Sequence, residues 1–472
     1  MSETDALTGG SWGELLGPKK LGASTVLAGG VVLYATNEFL TISLMPSAIA
    51  EIGGQRYYAW VTTVYLVASV AAATTVSAAL ARVGPRSAYL GALSVFGAGS
   101  VLCAVAPTME LLLVGRTVQG AAGGLLAGLG YAVINAVLPQ SLWTRASALV
   151  SAMWGVGTLL GPAAGGLFAQ FGSWRWAFGG LAILTVAMAV LVALVLPGRA
   201  AVGGAVSVSI PVWSLVLLGA AALVVSVAGI SANGLLTTAL LVAAVVLIVA
   251  FLAVERRLPA SVLPPTAFRP GPLKWVYLTL GLLMAATMVD MYVPLFGQRL
   301  GHLAPLTAGF LGVALAVGWT ASEIISASAQ RRSAVTRVVF AAPLVMAIGL
   351  AAGAALVRDG MPGWLALLWA LTLGVTGTGI GMAWPHLSVW AMAGVDDPAE
   401  GPVAAAAINT VQLICGALGA GVAGVIVNRA GGADAVAARW LFAGFAMLAV
   451  VGVLTAWRAG RSPRPAEIPT PR

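Results

Sequence analysis

Of the chain's 472 residues, 60% are hydrophobic and only 8% charged, and the mean hydropathy is +0.98. A soluble domain carries roughly 25% charged residues, so composition excludes a water-soluble protein. The net charge of +9 suggests a nucleic-acid partner, but the placement of the charges removes that reading. Cys103 and Cys415 stand singly in apolar runs and make neither a disulfide framework nor a metal cluster.

The first 20 residues are polar and mixed in charge, with Glu3, Asp5, Glu14, Lys19 and Lys20. They lack a basic segment leading into a short apolar core and cleavage site, so no cleaved leader is expected. A membrane-crossing helix needs about 20 apolar residues. Such runs lie near 22–50, 58–81, 87–106, 110–138, 145–169 and 175–197. A Gly/Ala/Val/Ser stretch at 198–210 precedes two compact runs at 212–231 and 235–254. The segment from Glu255 to Gly271, with Pro259, Pro264, Pro265 and Pro270, is charged and reads as a loop. Six further runs follow near 274–298, 305–329, 335–357, 363–394, 400–427 and 437–458.

The expectation is an all-α membrane protein of fourteen spans. A cytoplasmic segment 1–21 leads into a six-helix bundle at 22–197. A linker at 198–271 carries an extra hairpin at about 212–254. A second six-helix bundle at 272–459 and a cytoplasmic tail at 460–472 complete the chain.

Lys/Arg placement orients the spans. With the N-terminus inside, the inner loops and tails hold 17 of the 24 basic residues, among them Arg82, Arg86, Arg256, Arg257, Arg331, Arg332 and Arg337. Six lie outside, and Arg116 falls within a span. Both termini are therefore expected in the cytoplasm, and the basic balance is accounted for without nucleic acid. The two six-span blocks also echo each other. Ser77–Arg86 and Ser326–Arg337 follow the second span of each block. Gly157, Gly161, Gly165 and Gly166 in span 5 parallel Gly416, Gly419, Gly421 and Gly424 in span 13. Duplicated transporters bind substrate between their halves near mid-membrane.

Three carboxylates fall well inside spans: Glu38 in span 1, Asp290 in span 9 and Glu323 in span 10. Acids at membrane depth face water or a partner, so each is a candidate proton-coupling group. Glu38 lies roughly 18 Å from the outer end of its span at 1.5 Å per residue and is the leading candidate. A static pair with Arg116 is its alternative. Glu323, eight residues before Arg331, can instead snorkel toward the arginines. His386 is a relay candidate or a packed neutral histidine. Asn409 and Gln412 are candidate cavity-lining groups. So are Tyr34, Asn37, Trp154 and the aromatics Phe39 and Trp384.

Several segments resemble the drug:proton antiporters of the major facilitator superfamily. Gly157-Thr-Leu-Leu-Gly161-Pro162-Ala-Ala-Gly165-Gly166 is similar to their antiporter motif. Its glycines at i, i+4 and i+8 allow close helix approach, and Pro162 removes a backbone donor. Arg116-Thr-Val-Gln119-Gly120 resembles their Arg-x-x-Gln-Gly motif, which implies a role for Arg116 in proton transfer. Arg82-Val-Gly84-Pro85-Arg86 looks like the superfamily loop. Ala81 stands where that loop usually has Asp, however, and Ser77 replaces its leading Gly, so the ion-paired latch is not expected. Ser173-Trp174-Arg175-Trp176, Glu255-Arg256-Arg257 with Leu263-Pro264 and Phe268-Arg269, and Tyr292-Val-Pro294 also fit. With the extra hairpin they point to the fourteen-helix branch. Asn37-Glu38-Phe39 is closer to span 1 of the twelve-helix branch.

The resemblance implies a proton-coupled exporter of amphipathic or cationic drugs in the cell inner membrane. It would work by alternating access, with Gly157, Gly161, Pro162, Gly165, Arg82 and Arg86 serving conformational change. A lipid exporter of the same fold and a proton-coupled nutrient symporter stand as alternatives, and the glycine-proline run argues against the symporter. No phosphate-binding G-x-x-x-x-G-K-[ST] loop occurs, so ATP is not the direct energy source. No cofactor, metal or enzymatic chemistry is expected, and the expected partners are the substrate, protons and the bilayer, with the protein a monomer.

Overall fold

A computed structural model describes residues 11–18, 20–134, 138–196, 210–258, 261–329 and 331–460. Lys19, Pro259, the 198–209 part of the linker with Arg199, and the tail with Arg461, Arg464 and Arg472 lie outside the described residues. Among those described, every regular element is helical. After a short helical turn at Trp12–Leu15 come α1 Leu21–Ile52, α2 Tyr58–Ala73, α3 Val76–Ala104, α4 Met109–Ala132, α5 Trp143–Phe171 and α6 Trp174–Val195. The extra pair is α7 Val212–Ile230 and α8 Gly234–Glu255. Then follow α9 Leu273–Thr287, α10 Val293–Gly301, α11 Pro305–Ser326, α12 Arg332–Leu356, α13 Gly363–Ala393, α14 Gly401–Arg429 and α15 Asp434–Gly460.

Among the described residues thirteen helical segments are long and apolar enough to cross a membrane, with Leu273–Gly301 counted as one. The fourteenth expected span is divided. α2 ends at Ala73, where the hydroxyls of Thr74 and Thr75 bond back to the carbonyls of Ala71 at 2.8 Å and Ala72 at 2.7 Å, competing with the helical ladder. The chain resumes as the first part of α3 and turns at Gly84, whose φ of 76° is a conformation only glycine adopts cheaply. Pro85 then opens the next span. Span 9 was expected to be continuous but is broken by a 3-10 turn at Met288–Tyr292. Pro294 has no N–H for the Asp290 carbonyl four residues back, and the N–H of Val293 takes that carbonyl instead. Span 4 stops at Ala132 rather than near 138.

The chain divides into two compact units. The first comprises Met1–Gln55, Val64–Ile210 and Ala304–Phe310; the second comprises Arg56–Thr63, Pro211–Leu303 and Leu311–Arg472. Inside the first, α5 lies on α1 at backbone distance. A Cβ on Gly157 or Gly161 would stand 2.5 Å from the Cβ of Ala35 or Phe39, and one on Gly165 would stand 2.6 Å from the Leu40 carbonyl oxygen. Inside the second, Gly419 of α14 approaches the Ala285 oxygen of α9 in the same way, at 2.6 Å.

The extra hairpin belongs to the second unit. Asn428 donates to the Gly229 carbonyl at 3.1 Å and Arg429 to the Thr237 hydroxyl at 2.6 Å, tying α14 to one end of the hairpin. At the other end the buried Glu255 carboxylate accepts from the Ser214 hydroxyl at 2.5 Å and from the Val262 and Leu263 N–H groups at 2.9 and 2.8 Å. The described part of the loop expected after span 8 is thus folded. It includes a 3-10 turn at Pro265–Phe268, and the Glu400 carboxylate accepts from Thr266 N–H at 3.0 Å.

Candidate functional site

The first unit gathers five of the sequence-predicted residues around one buried cation. Gly120 and Gly124 of α4 let α2 approach so closely that a Cβ would meet the Tyr65 and Ser69 carbonyl oxygens at 2.3 and 2.2 Å. Ser69 fixes the crossing by donating to the Gly120 carbonyl at 2.9 Å. This approach brings the Tyr65 ring over the Arg116 guanidinium, whose carbon sits 4.1 Å from the ring centroid. Arg116 is only 2% exposed. Its Nη1 donates to Asn37 Oδ1 of α1 at 3.1 Å and to Gln119 Oε1, one turn along α4, at 2.9 Å. Gln119 Nε2 in turn donates to Ser100 of α3 at 2.9 Å. Cys103 reaches Gln119 Oε1 at 3.5 Å.

A guanidinium inside a span costs about 2.5–3.5 kcal/mol even on the most lenient scale. Two amide oxygens and a π face offset part of that cost, since cations lie favourably over aromatic rings. Tyr34 stacks on Tyr65 with centroids 5.7 Å apart, and Trp154 of α5 meets Tyr34 edge-on at 5.3 Å. Three aromatic rings and the guanidinium thus form one continuous array.

Glu38 is half-buried on α1, next to Asn37, and Arg116 is its charged neighbour. Ion pairs among the described residues include Arg175–Glu51, Arg269–Asp396 and Arg299–Asp434. Glu38 is in none of these three pairs. The guanidinium donates to two amide oxygens.

The remaining candidates lie elsewhere. Asp290 sits in the 3-10 break of span 9, with Gly312 of α11 closely packed against its carboxylate. Glu323 is half-buried and accepts from Trp319 Nε1 at 3.0 Å. His386 is buried, its Nε2 2.8 Å from the Ser326 hydroxyl. On α14, Asn409 is exposed and Gln412 half-buried. Arg82 is exposed and Arg86 half-buried on either side of the Gly84 turn. Pro162 lies within α5, and its carbonyl accepts from Ser43 at 3.5 Å. Among the described residues no three His, Cys, Asp or Glu side chains gather as metal ligands would.

Sequence reading missed Tyr65, Ser100 and Trp319. Of these only Tyr65 carried a signal, as an aromatic residue in a span facing a glycine-rich neighbour.

The sequence matches the family model described as Major Facilitator Superfamily over residues 27–420. It is 60% identical over 464 residues to a "Probable multidrug-efflux transporter" of Mycobacterium tuberculosis, covering 97% of this chain and 98% of the relative. It is 23% identical over 361 residues to "Multidrug resistance protein 3" of Bacillus subtilis, covering 75% of this chain and 69% of that one. Among solved structures, the nucleoside transporter NupG shares the fold with a TM-score of 0.67 at 13% identity, covering 94% of this chain and 100% of that one.

Proposed function

This chain belongs to the major facilitator superfamily, and on that premise we propose that it exports amphipathic or cationic organic compounds in exchange for protons. The fold is that of a multi-span membrane transporter. Both termini face the cytoplasm of a bacterial inner membrane in this reading, supported by 17 of 24 basic residues on one side of the fourteen spans. The 60%-identical relative, called a probable multidrug-efflux transporter, supports the substrate class.

The observation that carries the mechanism is Glu38. It is a half-buried acid in the middle of α1, beside a cation whose own bonds are met by Asn37 and Gln119. A carboxylate without a salt bridge can exchange a proton for an organic cation. Ionised and open to the inside, Glu38 attracts the cation, with Tyr34 and Trp154 offering apolar contact. Protonated from the outside, it loses the attraction and the substrate leaves. Loss of the proton to the cytoplasm resets the carrier. Arg116 sets the local field in both states, and Gly157, Gly161 and Gly165 keep α1 and α5 in register as the units alternate.

The test is pH-driven uptake of a cationic dye into proteoliposomes carrying Glu38→Gln. The expected result is loss of the dependence on the proton gradient, with any residual movement following the dye's own gradient. Undiminished gradient-driven transport removes Glu38 from the mechanism.

A further inference from the structure

A second aromatic–acid cluster lies in the second unit, where α11 crosses α13. The crossing is built on glycine. A Cβ on Gly377 would stand 1.8 Å from the Leu315 carbonyl oxygen, and one on Gly381 would stand 2.1 Å from that of Trp319. Hydroxyls close the seam: Ser322 donates to the Thr378 carbonyl at 3.3 Å and Ser326 to the Met382 carbonyl at 2.6 Å. At the edge of this seam the Trp319 and Trp384 rings lie 5.5 Å apart at 55°. Trp319 Nε1 holds one oxygen of Glu323, which stands one turn further along α11, at 3.0 Å.

All three side chains are half-buried. Glu323 has no ion pair among the described residues. His386 is engaged by Ser326. An ionisable group at this depth is tolerated where it meets water or a ligand, not lipid. Two indole faces beside an oriented carboxylate are the chemistry that recognises an organic cation with an apolar body.

We propose that Trp319, Trp384 and Glu323 form a second binding subsite for organic cations, separate from Glu38. Glu323 is three residues from the end of α11, so this subsite lies near one end of its span, whereas Glu38 lies in the middle of α1. A cation taken up near the surface would be held here by π faces and one carboxylate. The inference rests on the reading that the substrate is a cation.

The experiment measures equilibrium binding of radiolabelled tetraphenylphosphonium to the purified full-length protein in lipid nanodiscs. The panel is wild type, Glu323→Gln, Trp319→Ala/Trp384→Ala, Trp384→Phe and Glu38→Gln. Loss of the carboxylate or of both indoles is expected to weaken one class of sites by about tenfold, while Trp384→Phe, which keeps a π face, stays within about threefold of wild type. Glu38→Gln is expected to leave that class in place. Each variant is checked for monodisperse elution. If the double tryptophan variant does not fold, Glu323→Gln and Trp384→Phe decide between them. Unchanged binding in Glu323→Gln, together with loss of all binding in Glu38→Gln, overturns this subsite and leaves the antiport reading standing. Absence of binding by the wild type overturns both.

Discussion

At the α2–α4 crossing of the first unit, glycines bring a backbone carbonyl within contact of the neighbouring helix, and a fully buried arginine occupies the space beside it. At the α11–α13 crossing of the second unit the same device appears with Gly377 and Gly381, and a half-exposed glutamate occupies the edge. In the first, the charge is enclosed by two amides and a tyrosine ring. In the second, it is held from one side by a single indole N–H. An enclosed charge is locked into one set of partners, because removing any of them strands the rest. A charge held from one side stays available to a ligand. The same helix geometry thus supports a fixed electrostatic element in one unit and a binding element in the other.

That contrast can be broken most severely at the glycines. Gly377→Val and Gly120→Val each force a branched side chain into a neighbouring backbone, and overpacking of this kind costs about 1–3 kcal/mol and often more. Both variants are expected to lose monodisperse protein on size-exclusion chromatography, with Gly377→Val the worse because its approach is tighter. Next in size is Arg116→Ala. It removes the guanidinium donor from the buried Asn37 Oδ1 and leaves Gln119 Oε1 with only the weak Cys103 thiol, a loss of about 1–3 kcal/mol, and thermal unfolding in detergent should show a clear fall in midpoint. Glu323→Ala is expected to lower stability by only about 0.5–1.5 kcal/mol, since one indole donor loses its partner at a half-exposed site. A melting midpoint as low as that of Arg116→Ala would remove the distinction between enclosed and open charge. Smallest is Ser69→Ala, which deletes one hydroxyl–carbonyl bond worth about 1 kcal/mol or less and should leave transport intact in the proteoliposome assay.

The all-helical, multi-span character of the chain was legible because lipid imposes a length and a polarity on every crossing segment, and the glycine stripe of span 5 was legible from its spacing. Arg116 and Gln119 were legible as parts of one motif, with Glu38 as the expected partner of Arg116. Their partner Tyr65 was not, because it lies 51 residues earlier on a helix brought close only by Gly120 and Gly124. The breaks at Thr74–Thr75 and Met288–Tyr292 escaped hydropathy, which averages over a window and does not register a shifted hydrogen bond. For Glu38, Asp290 and Glu323, sequence fixed membrane depth and hence the cost of burial. Only the tertiary structure decided what each acid meets. Arg116 beside Glu38 turns to the amides of Asn37 and Gln119, and Glu323 turns to Trp319 because a glycine-lined crossing sets the indoles beside it. Depth follows from position along one chain, whereas partners follow from which helices touch.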